Sequence, residues 1–113
     1  MESPLSDDVV AEIHTTFAAR DAAEACANRL VAAGLAACVQ IDGPVHSIYR
    51  WQDAVETAVE WRCTCKTTPA RAEACVAAIV AGHSYATPEV LVRQATATPA
   101  YAAWVRDSVA RGG

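Results

Sequence analysis

The chain has 113 residues, 53% of them hydrophobic, enough for one core and too few for two, so residues 1–113 read as a single domain. Its formal net charge is -4 with both signs scattered, whereas a phosphate-backbone binder gathers Lys and Arg on one face, so nucleic acid is not an expected partner. "MESPLSDDVV" lacks the basic and apolar regions of a secretory signal, no run approaches the ~18 apolar residues of a membrane span, and five cysteines without a CxxC suggest neither a disulfide framework nor a zinc ribbon; a cytoplasmic protein with reduced thiols and no membrane contact is expected.

Residues 9–17, "VVAEIHTTF", are β-branched and roughly alternating, which predicts a first strand. In "ARDAAEACANRLVAAG" the residues Ala23, Cys26, Ala27, Leu30 and Val31 recur at three and four spacing, and Gly34 stands where a helix end wants a left-handed residue. Residues 36–51, "AACVQIDGPVHSIYRW", read as one long strand with a Gly-Pro interruption. In "ETAVEWRCTCKTT" the apolar Val59, Trp61, Cys63 and Cys65 alternate with Glu60, Arg62, Thr64 and Lys66, so a third strand is predicted with one buried face, joined to the second through the turn-like "QDAV". Thr68-Pro69 supplies an N-cap and a first-turn proline for a helix with the stripe Ala72, Cys75, Val76, Ile79 and Val80, ending at Gly82. "PEVLVRQAT" predicts a last strand, and "PAYAAWVRDSVARGG" a terminal helix with Tyr101, Trp104 and Val105 on one side. The order βαββαβ plus a tail helix, with right-handed crossovers and a central hairpin, gives an α+β class: a ferredoxin-like antiparallel sheet with both helices on one face and a C-terminal helix.

The length of the second strand carries a further expectation. A globule of this size has a diameter of roughly 35 Å, while sixteen extended residues span roughly 50 Å. The hairpin should therefore overshoot its own domain. The overhang "VHSIYRW" puts Val45, Ile48, Tyr49 and Trp51 on both faces, and an apolar edge of that kind aggregates unless it pairs with neighbouring subunits in a closed ring.

"LAACVQI", "SIYRW", "KTT", "HSYATPEVLV" and the terminal "AYAAW" resemble, in order and spacing, the CutA divalent-cation-tolerance proteins over about residues 12–108. The resemblance implies a small cytoplasmic homotrimer held by its long hairpins, sharing an assembly with the nitrogen-regulatory PII proteins and linked to copper and other divalent metals. It implies no defined reaction, so an enzyme is not expected. The sequence departs from the family pattern at Gln40, Asp53, Ser84 and Arg93-Gln94.

Copper would need soft ligands, and Cys38 lies in the family-like motif, free to face a helix or an interface. Cys26, Cys63, Cys65 and Cys75 fall on apolar faces and read as core packing. His83, Tyr85 and Glu89 form the best polar cluster, on a loop leading into the last strand, with His83 a second candidate metal donor; the plainer reading is that His83 caps a helix and Glu89 pairs with Lys66 or an arginine. Lys66, just before a helix N-terminus, suggests an anion pocket or simply a solvated charge. Tyr49, Trp51 and Trp104, with Arg50, Trp61 and Tyr101, suggest an aromatic rim to an intersubunit cleft or interface packing. His14 and His46 each sit alone on a strand, and neither supports a metal site.

Three functions follow. The first is a trimer binding a divalent metal or small anionic ligand in its clefts through Lys66, His83, Tyr85, Glu89, Tyr49, Trp51, Trp104 and Cys38. The second is a PII-like signalling or assembly scaffold acting through a protein partner. An acylphosphatase-like hydrolase is disfavoured, because Arg20 is available but the chain's single Asn, Asn28, lies inside a helix.

Overall fold

The computed structural model describes residues 8–112. The elements are β1 (Val9–Phe17), α1 (Arg20–Ala32), β2 (Cys38–Trp51), β3 (Ala54–Thr67), a 3-10 turn (Pro69–Arg71) leading into α2 (Ala72–Gly82), β4 (Val90–Thr96) and α3 (Pro99–Gly112). The strands form one sheet in the order β2-β3-β1-β4, every pair antiparallel. This is the ferredoxin-like arrangement that the periodicities predict.

Strand alternation and helix stripes meet in the main core. Ile13 and Phe17 of β1 and Cys63 and Cys65 of β3 pack under Ala23, Cys26 and Leu30 of α1 and Cys75 and Ile79 of α2. Val31 and Val80, expected on those stripes, are 42% and 50% exposed. Each follows a buried residue of its stripe, Leu30 and Ile79, by one position, about 100° further round the helix, and so falls off the contact face. Gly34 takes the predicted left-handed conformation at φ 71° and lets the chain turn from α1 into β2. Thr68 stands at an N-cap position, but its hydroxyl makes no capping bond, and the first turn is a tight 3-10 turn begun by Pro69.

A second, smaller core seats α3 on the end of the sheet through Ala102, Val105 and Val109 against Val10 and Ala37. Tyr101 and Trp104, which the sequence pattern puts on one side of the helix with Val105, flank that seam half-exposed; the small Ala102 lets the helix approach closely, and the aromatic rings lie beside each other at 5.8 Å.

The ribbon is the feature that shapes the molecule. β1 ends at Phe17 opposite Trp61, so beyond that point β2 and β3 pair only with each other, from Val45↔Glu60 to Trp51↔Ala54. The molecule measures 53 × 33 × 21 Å, its longest dimension well beyond the globular diameter expected for the chain length. Ile48 (74% exposed), Trp51 (51%) and Val55 (67%) have no full cover among the described residues. Val59, expected in the core beside Trp61, is exposed for the same reason: no helix layer extends over the ribbon.

Two irregularities set its course. The register shifts between Asp42 and Val45, where Gly43 lies against the Trp61 ring. The turn is shorter than "QDAV": only Gln52 and Asp53 are unpaired, at φ 49° and 65°, and Ala54 and Val55 already belong to β3. Two consecutive left-handed residues make the hairpin turn whose second position favours glycine. Asp53→Gly should relieve ~1–2 kcal/mol of left-handed strain against ~0.5–1 kcal/mol of added unfolded-state entropy, a small net gain visible as a higher urea midpoint.

Candidate functional site at the root of the ribbon

The loop after α2 folds over the end of β1 and fastens itself there through His83. The His83 Nε2–H donates to the Thr16 carbonyl at 2.8 Å, which fixes the tautomer, and Nδ1 then accepts the Tyr85 backbone N–H at 3.1 Å. Phe17 stacks flat on the imidazole, centroids 4.4 Å apart at 11°. Both ring nitrogens are therefore spent on positioning, and the helix end is capped by the His83 backbone N–H on Val80 O rather than by its ring.

Tyr85 stands beside His83, its ring 4.9 Å away, and donates its hydroxyl to Glu60 Oε2 at 2.9 Å. Glu60 is only 9% exposed, the first ribbon residue beyond the reach of β1. Burial, then the bond to Glu60 and the charges of Glu60 and Tyr49, push the Tyr85 phenol up to about 12, so it remains a donor. Removing that donor should be costly: Tyr85→Phe is expected to lose ~1.5–3 kcal/mol, read from urea unfolding, because the Glu60 carboxylate is left buried and unpaired.

The other predicted residues are distributed more widely than the sequence suggested. Glu89 does not join His83 and Tyr85; it borders an open depression on the sheet face away from α1 and α2, with His14, Asp42, Arg62, Thr64, Leu91 and Arg93. Lys66 is on that open face too, opposite Cys38 and Glu12, and donates to Gln40 Oε1 at 3.0 Å. It does not stand at the helix N-terminus, because the period of two turns Thr67, fully buried, toward the helices and Lys66 away from them.

Cys38 is half-buried with Sγ 3.8 Å from Tyr101 Oη, and Trp104 lies beyond Tyr101. Burial, then the contact with Cys38 and the charges of Cys38 and Glu12, push the Tyr101 phenol up to about 12. Tyr49 and Trp51 are at the far end of β2 from Cys38, so one chain does not close an aromatic rim. Trp61, expected opposite them, covers Gly43 instead and carries the Arg20 guanidinium 5.5 Å above its ring. Cys26, Cys63, Cys65 and Cys75 are in the main core as read; burial raises the Cys26 thiol and pushes Cys63 up to about 12, and Cys65 is raised by its hydrogen bond to Cys75 and by burial.

Among the described residues, no three His, Cys, Asp or Glu side chains lie close enough together to hold a metal ion. Glu60 was missed by sequence reasoning: the alternation placed it on a solvent face, and nothing local announces that a loop twenty-five residues downstream covers it.

An antiparallel βαββαβ sheet with one helix layer, a hairpin that outruns it and a His-Tyr-Glu knot at the hairpin's root defines a ribbon-bearing ferredoxin-like protein. The chain belongs to the CutA1 divalent ion tolerance protein family, whose model matches residues 11–108. It is 31% identical over 97 residues to the chloroplastic protein CutA of Arabidopsis thaliana, covering 85% of this chain and 53% of that protein, so it spans about half the plant relative's length. It is likewise 31% identical over 88 residues to the divalent-cation tolerance protein CutA of Escherichia coli, covering 77% of this chain and 79% of the relative. The CutA of Synechococcus elongatus, in complex with a Bis-Tris molecule, superposes with a TM-score of 0.82 at 35% identity, covering 89% of this chain and 94% of that one. No helix among the described residues is long and apolar enough to cross a membrane.

Proposed function

We propose that the chain works as a single-domain cytoplasmic homotrimer that confers tolerance to divalent cations, copper among them, without catalysing a reaction. Its ribbon lies along a neighbouring subunit, and the resulting clefts take up a metal ion or a small anionic ligand. The observation that carries this reading is the uncovered ribbon: an unsupported two-stranded hairpin is marginal in water, and this one displays Ile48, Trp51 and Val55.

Assembly would bring Tyr49 and Trp51 of one subunit to a neighbour and complete the aromatic rim that Tyr101 and Trp104 begin. Lys66 supplies charge, the His83-Tyr85-Glu60 knot holds the ribbon's root, and Glu89 stands at the loop's far end. For the metal, Cys38 is the soft donor that remains, half-buried rather than sealed in the core. The S. elongatus relative, bound to Bis-Tris, supports a fold that accepts a small molecule.

Calorimetry with copper alone should give saturable binding to the wild-type trimer, weakened at least tenfold in Cys38→Ser. Absence of binding tighter than about 1 mM, worth only ~4 kcal/mol, would remove the direct-metal reading.

A further inference from the structure

The bonds that fasten the loop after α2 hold only while the His83 ring is neutral. They run in opposite senses: Nε2–H donates to the Thr16 carbonyl at 2.8 Å, and Nδ1 accepts the Tyr85 backbone N–H at 3.1 Å. A carbonyl can only accept and an amide N–H can only donate, so the arrangement admits one protonation state, with the single ring proton on Nε2. A second proton would enter at Nδ1, where the Tyr85 N–H already points. Two donors would then face each other, and the amide would have to turn away to find another acceptor.

The surroundings of the ring decide what that loss releases. Phe17 lies flat on one face of the imidazole, and the Thr16 carbonyl needs only Nε2–H, so the ring itself can stay in place when it gains a proton. Tyr85 is the side that gives. It is tied at two points, its amide on His83 Nδ1 and its phenol on Glu60 Oε2 at 2.9 Å, and without the first the phenol bond has lost its backbone anchor. The charged and titratable groups around the ring come from several elements. Arg29 of α1 lies against Gly82, the residue before His83, where an added β-carbon would come within 2.6 Å of its Nη2. Arg20 of α1 stands over Trp61, the strand partner of Phe17, while Glu60 of β3 and the Tyr49 ring of β2 act on the Tyr85 phenol. Arginines and phenols hold their protons below about pH 9, so Glu60 is the group whose titration has to be separated from that of His83.

We propose that His83 is an acid-operated latch: when the imidazole takes a second proton, the Tyr85 N–H is expelled from Nδ1, the loop after α2 loosens, and the root of the ribbon loses its backing at Glu60. The latch uses contacts within one chain, and only its consequence for the course of the ribbon along a neighbour rests on the proposed trimer. The test is amide hydrogen exchange on the full chain, with protection taken relative to the intrinsic rate at each pH, beside nitrogen-15 spectra of labelled histidine from about pH 8 to about pH 5, where imidazoles change charge. The Tyr85 protection factor should fall at least tenfold in step with the His83 Nδ1 shift, while that of Ile13 in β1 holds. His83→Gln, which takes no proton in this range, should abolish the step, and Glu60→Gln should retain it. Constant Tyr85 protection while His83 titrates, a ring still neutral at the acid end, a step that survives in His83→Gln or one that vanishes in Glu60→Gln would overturn the proposal. The wild-type spectra decide even where a variant fails to fold. Sedimentation at neutral pH reports the trimer separately, so a monomer there would remove the assembly and leave the latch standing.

Discussion

Ile48→Glu combined with Trp51→Glu is expected to convert a trimer into soluble monomers. Both side chains stand clear of their own chain, at 74% and 51% exposure, and each would contribute ~1.5–3 kcal/mol when covered by a neighbour. In a closed ring every subunit repeats the contact, so the loss is felt at each interface, and a carboxylate placed there adds desolvation and repulsion. Sedimentation velocity should show the wild type at three times the 11.9 kDa chain mass and the variant at one. A variant that still sediments as a trimer would mean that another surface holds the assembly. Because the substituted positions lie beyond the end of β1, the far-ultraviolet spectrum and the main core should survive the change.

The second large effect is expected at Gly43→Ala. A β-carbon at this position would come within 2.6 Å of Trp61 Cε3, 2.9 Å of Cδ2 and 3.1 Å of the Glu60 carbonyl oxygen. The ring cannot simply swing aside, since it is packed against the main core and lies under the Arg20 guanidinium. Overpacking of this kind costs ~1–3 kcal/mol. It should also disturb the register shift between Asp42 and Val45, and with it the direction in which the ribbon leaves the sheet. A lower urea midpoint together with a weakened trimer is the expected pair of results, and stability unchanged from wild type would show that the strand can slide past the ring.

The departures from the family pattern acquire physical content in this frame. Gln40 accepts from Lys66, Asp53 occupies a left-handed turn position, and Arg93 pairs with Glu12. These three residues are accommodated at the surface of the sheet or at its turn.

Much of the architecture follows from local chemistry. The alternation in "EWRCTCKTT" decides which face of β3 is buried, the spacing of Cys26 and Leu30 orients α1, Gly34 ends its turn, and the length of "AACVQIDGPVHSIYRW" against the globular diameter requires an overhang. These are properties of periodicity and reach, and they are written in neighbouring residues. The site is a different matter. That Glu60 is buried beneath Tyr85, that both nitrogens of His83 are committed to Thr16 and Tyr85, that Glu89 turns to the open face, and that His14 Nε2 has no partner among the described residues all depend on strand register and loop path. Those contacts join residues twenty-five or more positions apart, apart from the short His83-Tyr85 bond, and only the packed sheet brings the partners together: a hydrogen bond needs both ends in place, whereas a hydrophobic stripe needs only its own spacing.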